Sequence, residues 1–216
     1  MKRSDLFAIL FVVSILMIFI LPESRLTYNL AYEKFPIVLS FLKFALLATF
    51  GEMLILRIFR GTYNEKKFGL LPKTIVWGVL GISLYFAFTI FYGGVTWLLF
   101  EDGRPETAAM KLIHSFSISF FMNIFYAPVL MLTHHVTDRF ILNNNGRFPV
   151  RKFQTMALLK QIDWDKMWGF VIKKTIPFFW IPVHTITFLL PEQYRILIAA
   201  VLSIVLGLFL ATSKKK

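Results

Sequence analysis

Six stretches of the chain are apolar over the length of a membrane-crossing helix: Asp5 to Leu21, Pro36 to Phe59, Pro72 to Phe100, Leu112 to Thr133, Trp168 to Leu190 and Gln193 to Ala211. A bilayer core of about 30 Å takes roughly 20 helical residues at about 1.5 Å each. The runs are continuous, so they predict helices and not the short alternating strands of a membrane β-barrel. The third run exceeds the required length, which predicts a strong tilt or a break near Gly93-Gly94. The longest polar segment, His134 to Lys166, carries a turn at Asn143-Asn144-Asn145-Gly146. After Pro149, the residues Phe153, Met156, Ala157, Ile162 and Trp164 among lysines fit either a helix lying on the inner leaflet or a plain connector.

Composition agrees with the pattern: 57% of the 216 residues are hydrophobic, against roughly 45–50% in a soluble domain. The expected fold is an all-α integral membrane protein, a bundle of about six transmembrane helices (four to six). It forms one domain, in which residues 1–34 supply an added first span and outer loop. Net charge is +12, yet the basic residues cluster at the ends of the apolar runs, which points to topology and anionic lipid headgroups and away from nucleic acid. With a cytoplasmic amino terminus, 18 of the 24 Lys and Arg fall inside. The outer side then keeps Arg25, Lys34, Lys43, Arg104, Lys111 and Arg195, with Glu101, Asp102 and Glu106. Both termini are therefore expected in the cytoplasm. Met1-Lys2-Arg3 ahead of an apolar run looks like a signal peptide, but Pro22-Glu23-Ser24-Arg25 is no small-residue cleavage site, so the run reads as an uncleaved span. No organelle address is visible in Lys214-Lys215-Lys216 or at the amino end.

Small and polar residues recur at helical spacing inside the spans. Ala45, Ala48 and Glu52 share one face of the second; Gly78, Gly81, Tyr85, Thr89, Tyr92 and Thr96 form a line on the third. Ser115, Ser119 and Asn123 do so on the fourth, and Arg195, Ala199, Ser203, Gly207 and Ala211 on the sixth. Such stripes serve either as dry packing seams or as the walls of a water-lined path. The first span lacks one and reads as a peripheral helix. Glu52 stands out, because a carboxylate inside a span costs about 2.5–3.5 kcal/mol on insertion scales. His184, Lys173 and Arg195 are its candidate partners, while Lys43, Lys173 and Lys174 are long enough to snorkel to the interfaces. A proline-broken helix holding Pro177, Pro182 and His184, followed by Pro191 and Arg195, marks the carboxyl-terminal hairpin as the best pointer to a site.

Chemistry of other kinds is sparse. Zero cysteines exclude disulfides, thiolate metal sites and thiol nucleophiles. His134-His135 with Asp138 is a weak metal candidate, since adjacent residues diverge by about 100° on a helix. No phosphate loop, nucleophile elbow or His-Glu-x-x-His motif occurs. The expectation is a protein that is not an enzyme and takes no metal or cofactor.

Three local patterns, in one order, resemble the family of the twenty-two kilodalton peroxisomal membrane protein and its mitochondrial relative Mpv-seventeen. Gly51-Glu52 is similar to the family's Gly-Asp, and Tyr126-Ala127-Pro128 to its aromatic, Ala-Pro step. Trp164 with Trp168, then Trp180, Pro182, His184, Thr187-Phe188, Pro191 and Arg195 are similar to its signature of Trp-Pro, Gln, Asn-Phe, Pro and Arg. The likeness spans roughly residues 35–211. Glu52 stands for Asp, Leu56 where Gln is usual, His184 for Gln and Thr187 for Asn; Ile181 separates Trp180 from Pro182, and the spacing to Pro191 is one residue short. The resemblance implies a small organellar or plasma-membrane protein, usually drawn with four spans, whose relatives are described as weakly selective pores.

Two functions are in play. One is a pore or channel for small polar or anionic solutes, with Glu52, Asn123, His184, Thr187 and Arg195 as solute contacts and Gly51, Pro128, Pro177, Pro182 and Pro191 setting packing and kinks. The other is a structural or lipid-interacting homeostasis protein without transport. A bacterial plasma membrane is the first expectation for its location, and a peroxisomal or mitochondrial inner membrane the second.

Overall fold

The computed structural model describes residues 3–101, 103 and 105–213, with side chains through Gly207, and every regular element among them is helical. Lys2, Asp102, Arg104, Lys214–Lys216 and the side chain of Ala211, which enter the charge and stripe arguments above, lie outside what is described. The helices are α1 (Arg3–Ile20), α2 (Pro22–Lys34), α3 (Pro36–Arg60), α4 (Leu70–Phe100), α5 (Ala108–Phe125) and α6 (Ala127–Asn143). A 3-10 turn (Val150–Lys152) and two short helices, α7 (Thr155–Leu159) and α8 (Trp164–Lys166), lead into a π-helix (Met167–Trp180), α9 (Ile181–Leu189) and α10 (Glu192–Ser213). All six apolar runs are thus helical, and four helices, α1, α3, α4 and α5, are long and apolar enough to cross a membrane by length and composition.

Several boundaries differ from the sequence pattern, each for a local reason. The fourth run is broken at Tyr126, because Pro128 in the first turn of α6 has no N–H to donate back into α5. The fifth run changes winding where Pro177 and Pro182 each remove a donor, and its first part is a π-helix with Ile181 N–H bonded to Ile176 O. Conversely, α4 runs unbroken through Gly93 and Gly94; a helical glycine costs only about 1 kcal/mol against alanine. The expected outer loop after the first span is itself helical, with Pro22 and Glu23 in its first turn and Lys34 in its last. The segment after Pro149 is a string of short turns whose Phe153, Leu158 and Ile162 join Val136, Phe140 and Phe148 of α6 and its following turn in an apolar cluster.

The chain divides into two compact units, one ending at Leu39 and the other starting at Ser40, so the boundary falls within α3. In the first, α1 packs on α2, with Phe19 and Tyr28 edge to face at 5.1 Å, and α1 buries no residue. In the second, α5 and α9 form the most extensive helix pair, surrounded by α4, α6, the π-helix and α10. Ile118, Met122, Ile176, Ile181, Ile196 and Ala200 fill its centre.

Glycines let α3 approach two neighbours. A Cβ on Gly81 of α4 would lie 2.6 Å from both Ser40 O and Phe44 Cβ of α3. A Cβ on Gly51 would lie 2.7 Å from Ile204 of α10, and one on Gly207 2.7 Å from Ile55. These close crossings put Glu52 against the start of α4 and line α10 up behind it.

Candidate functional site

Glu52 is the hub of a partly buried charge cluster. Lys73 donates to its Oε2, Trp77 Nε1 donates to its Oε1 at 2.7 Å, and His134 Nε2 lies 3.2 Å from the same oxygen. Lys73 also pairs with Asp138. Lys73 and Trp77 stand four apart on α4, as His134 and Asp138 do on α6, so each helix aims two groups at one point. Trp77 and His134 also meet ring to ring in a tilted pair, centroids 4.2 Å apart.

Two loops fix this meeting. Gly69 (φ 72°) starts α4 from a left-handed conformation, and a Cβ there would fall 2.9 Å from Gly146 O. Gly146 (φ 81°) ends the turn after α6. Backbone against backbone, the two glycines hold the start of α4 beside the end of α6, which brings Lys73 to Asp138.

The candidate partners of Glu52 read from the sequence, His184, Lys173 and Arg195, are not the ones the fold supplies. The ammonium of Lys73 holds the point between Glu52, His134 and Asp138 that a metal would need, and His135 turns away to Met131 O at 2.9 Å. Lys43 is buried and donates to Gln193 O at 3.3 Å, tying α3 to the start of α10. The i, i+4 pairs at Lys73/Trp77 and His134/Asp138 were the available clue.

A second polar knot lies in the α5–α9 contact. Asn123 Nδ2 donates to Ser119 O at 2.8 Å and lies 3.1 Å from His184 Nδ1, and Ser119 Oγ donates across to Ile181 O at 2.7 Å. His184 stacks on Trp180 at 5.1 Å and meets Phe88 edge on at 5.6 Å. Its Nε2 and the Nε1 of Trp180 are buried without a hydrogen-bond partner among the described residues.

The two knots share one cavity of about 60 Å³. Trp77 and His134 line it from the charge cluster, Asn123, Trp180 and His184 from the other knot, with Tyr126, Ala199 and Ser203 between. That volume holds a few waters. Glu52 itself stays behind Trp77 and His134.

The remaining candidates serve the framework. Thr187 is fully buried and returns its hydroxyl to Val183 O of its own helix at 2.8 Å. Arg195 donates to Leu190 O at 3.0 Å and Phe188 O at 3.3 Å, capping the carbonyl end of α9, and lies over the Tyr92 ring at 4.6 Å. Pro191 explains that end, since the extended backbone of Leu190 (ψ 157°) is what a following proline demands. Nearby, His114 is buried and bonded to Thr96 at 2.8 Å.

Replacing Asn123 with leucine removes the bonds to Ser119 and His184 while keeping the volume. Denaturation in mild detergent is expected to show a loss of about 1 kcal/mol, because side-chain hydrogen bonds between helices in bilayers are modest.

Fold and site together define an all-helical bundle with two buried polar knots around a common cavity. No protein-family model matches the chain, and no curated protein or solved structure is similar to it. The resemblance described above therefore rests on its quoted motifs alone.

Proposed function

We propose that the chain is a multi-pass membrane protein of about six spans, with both termini cytoplasmic, and that it acts as a weakly selective pore for small polar or anionic solutes. The observation that carries this reading is the cavity: among mainly apolar neighbours, Trp77, Asn123, His134, Trp180, His184 and Ser203 bring polar side chains to its lining, inside a bundle whose surface carries Leu, Ile, Val and Phe. Polar atoms around a cavity in an apolar bundle are the pattern expected of a solute path. Its size fits an occluded state, so passage requires the helices around Tyr126 and Ser203 to part. The basic loops bind anionic headgroups, and a bacterial plasma membrane remains the first choice of location, with peroxisomal or mitochondrial inner membranes second. Membership of the Mpv-seventeen family belongs to the same proposal, through Gly51-Glu52, the Pro128 step and the hairpin.

One observation favours a structural role instead. Every member of the Glu52 cluster satisfies another, as in a lock between α3, α4 and α6.

Stopped-flow swelling of proteoliposomes in urea separates the two. A pore gives faster swelling than protein-free vesicles and a changed rate in Glu52→Gln. Equal rates with and without protein would overturn the pore and leave the lock.

A further inference from the structure

The neighbours of His184 fix which of its nitrogens carries the hydrogen. The group of Asn123 that lies 2.8 Å from Ser119 O is the amide NH₂, because a carbonyl only accepts. The same nitrogen lies 3.1 Å from His184 Nδ1, closer than the amide oxygen at 3.3 Å. The other acceptor near that nitrogen, Ser119 Oγ, lies farther off at 3.3 Å, so the second hydrogen goes to Nδ1, which accepts, and Nε2 carries the ring hydrogen. Trp180 Nε1 is a donor in any state. Two neutral N–H donors, both buried and without a partner among the described residues, therefore sit on side chains that line one cavity, brought together by a stacked pair four residues apart.

Unpaired buried donors are costly, and a ligand acceptor removes that cost. Charge narrows the class. Behind Trp77 and His134, which form the other wall, Glu52 and Asp138 bring two negative charges against Lys73 and, when it is protonated, His134, so the sum is never positive. Arg195 is engaged with the carbonyls of Phe188 and Leu190. An anion would enter without a counter-charge. A cation would meet donors.

We propose that the cavity binds a small neutral hydrogen-bond acceptor, of the carboxamide or urea type, through joint donation from Trp180 Nε1–H and His184 Nε2–H. This rests on the reading of the cavity as a solute site, and it narrows the expected solutes by removing anions.

Formamide, formate and formamidinium share one shape in neutral, anionic and cationic form. Each is titrated into the ¹⁵N-labelled full chain in nanodiscs while the indole resonance of Trp180, assigned by its loss in Trp180→Phe, and the ring nitrogens of His184 are followed. Formamide is expected to shift both saturably, and formate and formamidinium to shift neither. In Trp180→Phe the His184 response to formamide should weaken about threefold to tenfold, the worth of one hydrogen bond. Should that variant fail to fold, the wild-type response of His184 decides alone. Equal shifts with formate, no shift with formamide, or a hydrogen on Nδ1 would each overturn the proposal. Formamide binding without urea flux upholds this site and removes the pore; urea flux without a response at Trp180 and His184 does the reverse.

Discussion

Lys73→Met is expected to lower the stability of the bundle by about 1–3 kcal/mol, less than the ~3–5 kcal/mol of a fully buried broken pair, because Glu52 is partly exposed and keeps Trp77 and His134. Among the described residues, Lys73 and His134 are the cationic partners of Glu52, and Lys73 also holds Asp138. Asp138 is 40% exposed and regains solvent when the pair is broken, whereas Glu52 is 19% exposed and does not, so the loss is concentrated on Glu52. Neutralising both partners removes the stranded charge. The double variant Glu52→Gln, Lys73→Met should therefore recover most of the loss, and Glu52→Gln alone should cost less than Lys73→Met because Lys73 keeps Asp138. Thermal or denaturant unfolding in mild detergent checks this order. A double variant no more stable than Lys73→Met would show that Glu52 is not the stranded group.

Gly81→Leu is expected to cost about 1–3 kcal/mol or more, by forcing α3 and α4 apart. The atoms in the way of its Cβ are a backbone oxygen, Ser40 O, and Phe44 Cβ, both at 2.6 Å and neither able to rotate aside. At Gly78 the obstacle is the ring end of Phe41, which swings more easily, so Gly78→Ala should be milder than Gly81→Ala. At Gly94 nothing lies within 4 Å, and Gly94→Ala should stabilise by about 0.5–1 kcal/mol through helix propensity. The ranking is read from melting curves of the three alanine variants and Gly81→Leu. Separation of α3 from α4 should also release Glu52 from Lys73, so Gly81→Leu and Lys73→Met should be less than additive.

The helices were legible in the sequence because apolar runs of this length leave little alternative. The pairing of Glu52 was not. Lys73 lies at a span end, where a lysine reads as a topology marker, and its approach depends on Gly69 and Gly146 touching across two loops, which no periodicity encodes. His134 and Asp138 looked like half a metal site because their common partner lies on another helix. Asn123 and His184 stand out in the sequence as polar groups within apolar runs, and the fold brings them together; Thr187 and Arg195, which stand out on the same ground, bond their own hairpin instead. Burial of a polar residue was visible from hydropathy. Whether it faces a cavity or a carbonyl depends on helix rotation, which Pro177 and Pro182 alter by imposing the π-helical stretch.

The absence of cysteine makes the cavity directly accessible to chemistry. Ser203 lines it, is partly buried, and makes one hydrogen bond, to Ala200 O of its own helix, so Ser203→Cys is a nearly isosteric change. In proteoliposomes of this variant, a small hydrophilic methanethiosulfonate reagent is expected to label Cys at that position and to block urea flux in proportion to labelling. Stoichiometric labelling with undiminished flux, or a site closed to the reagent in a preparation without flux, would contradict a solute path through this cavity.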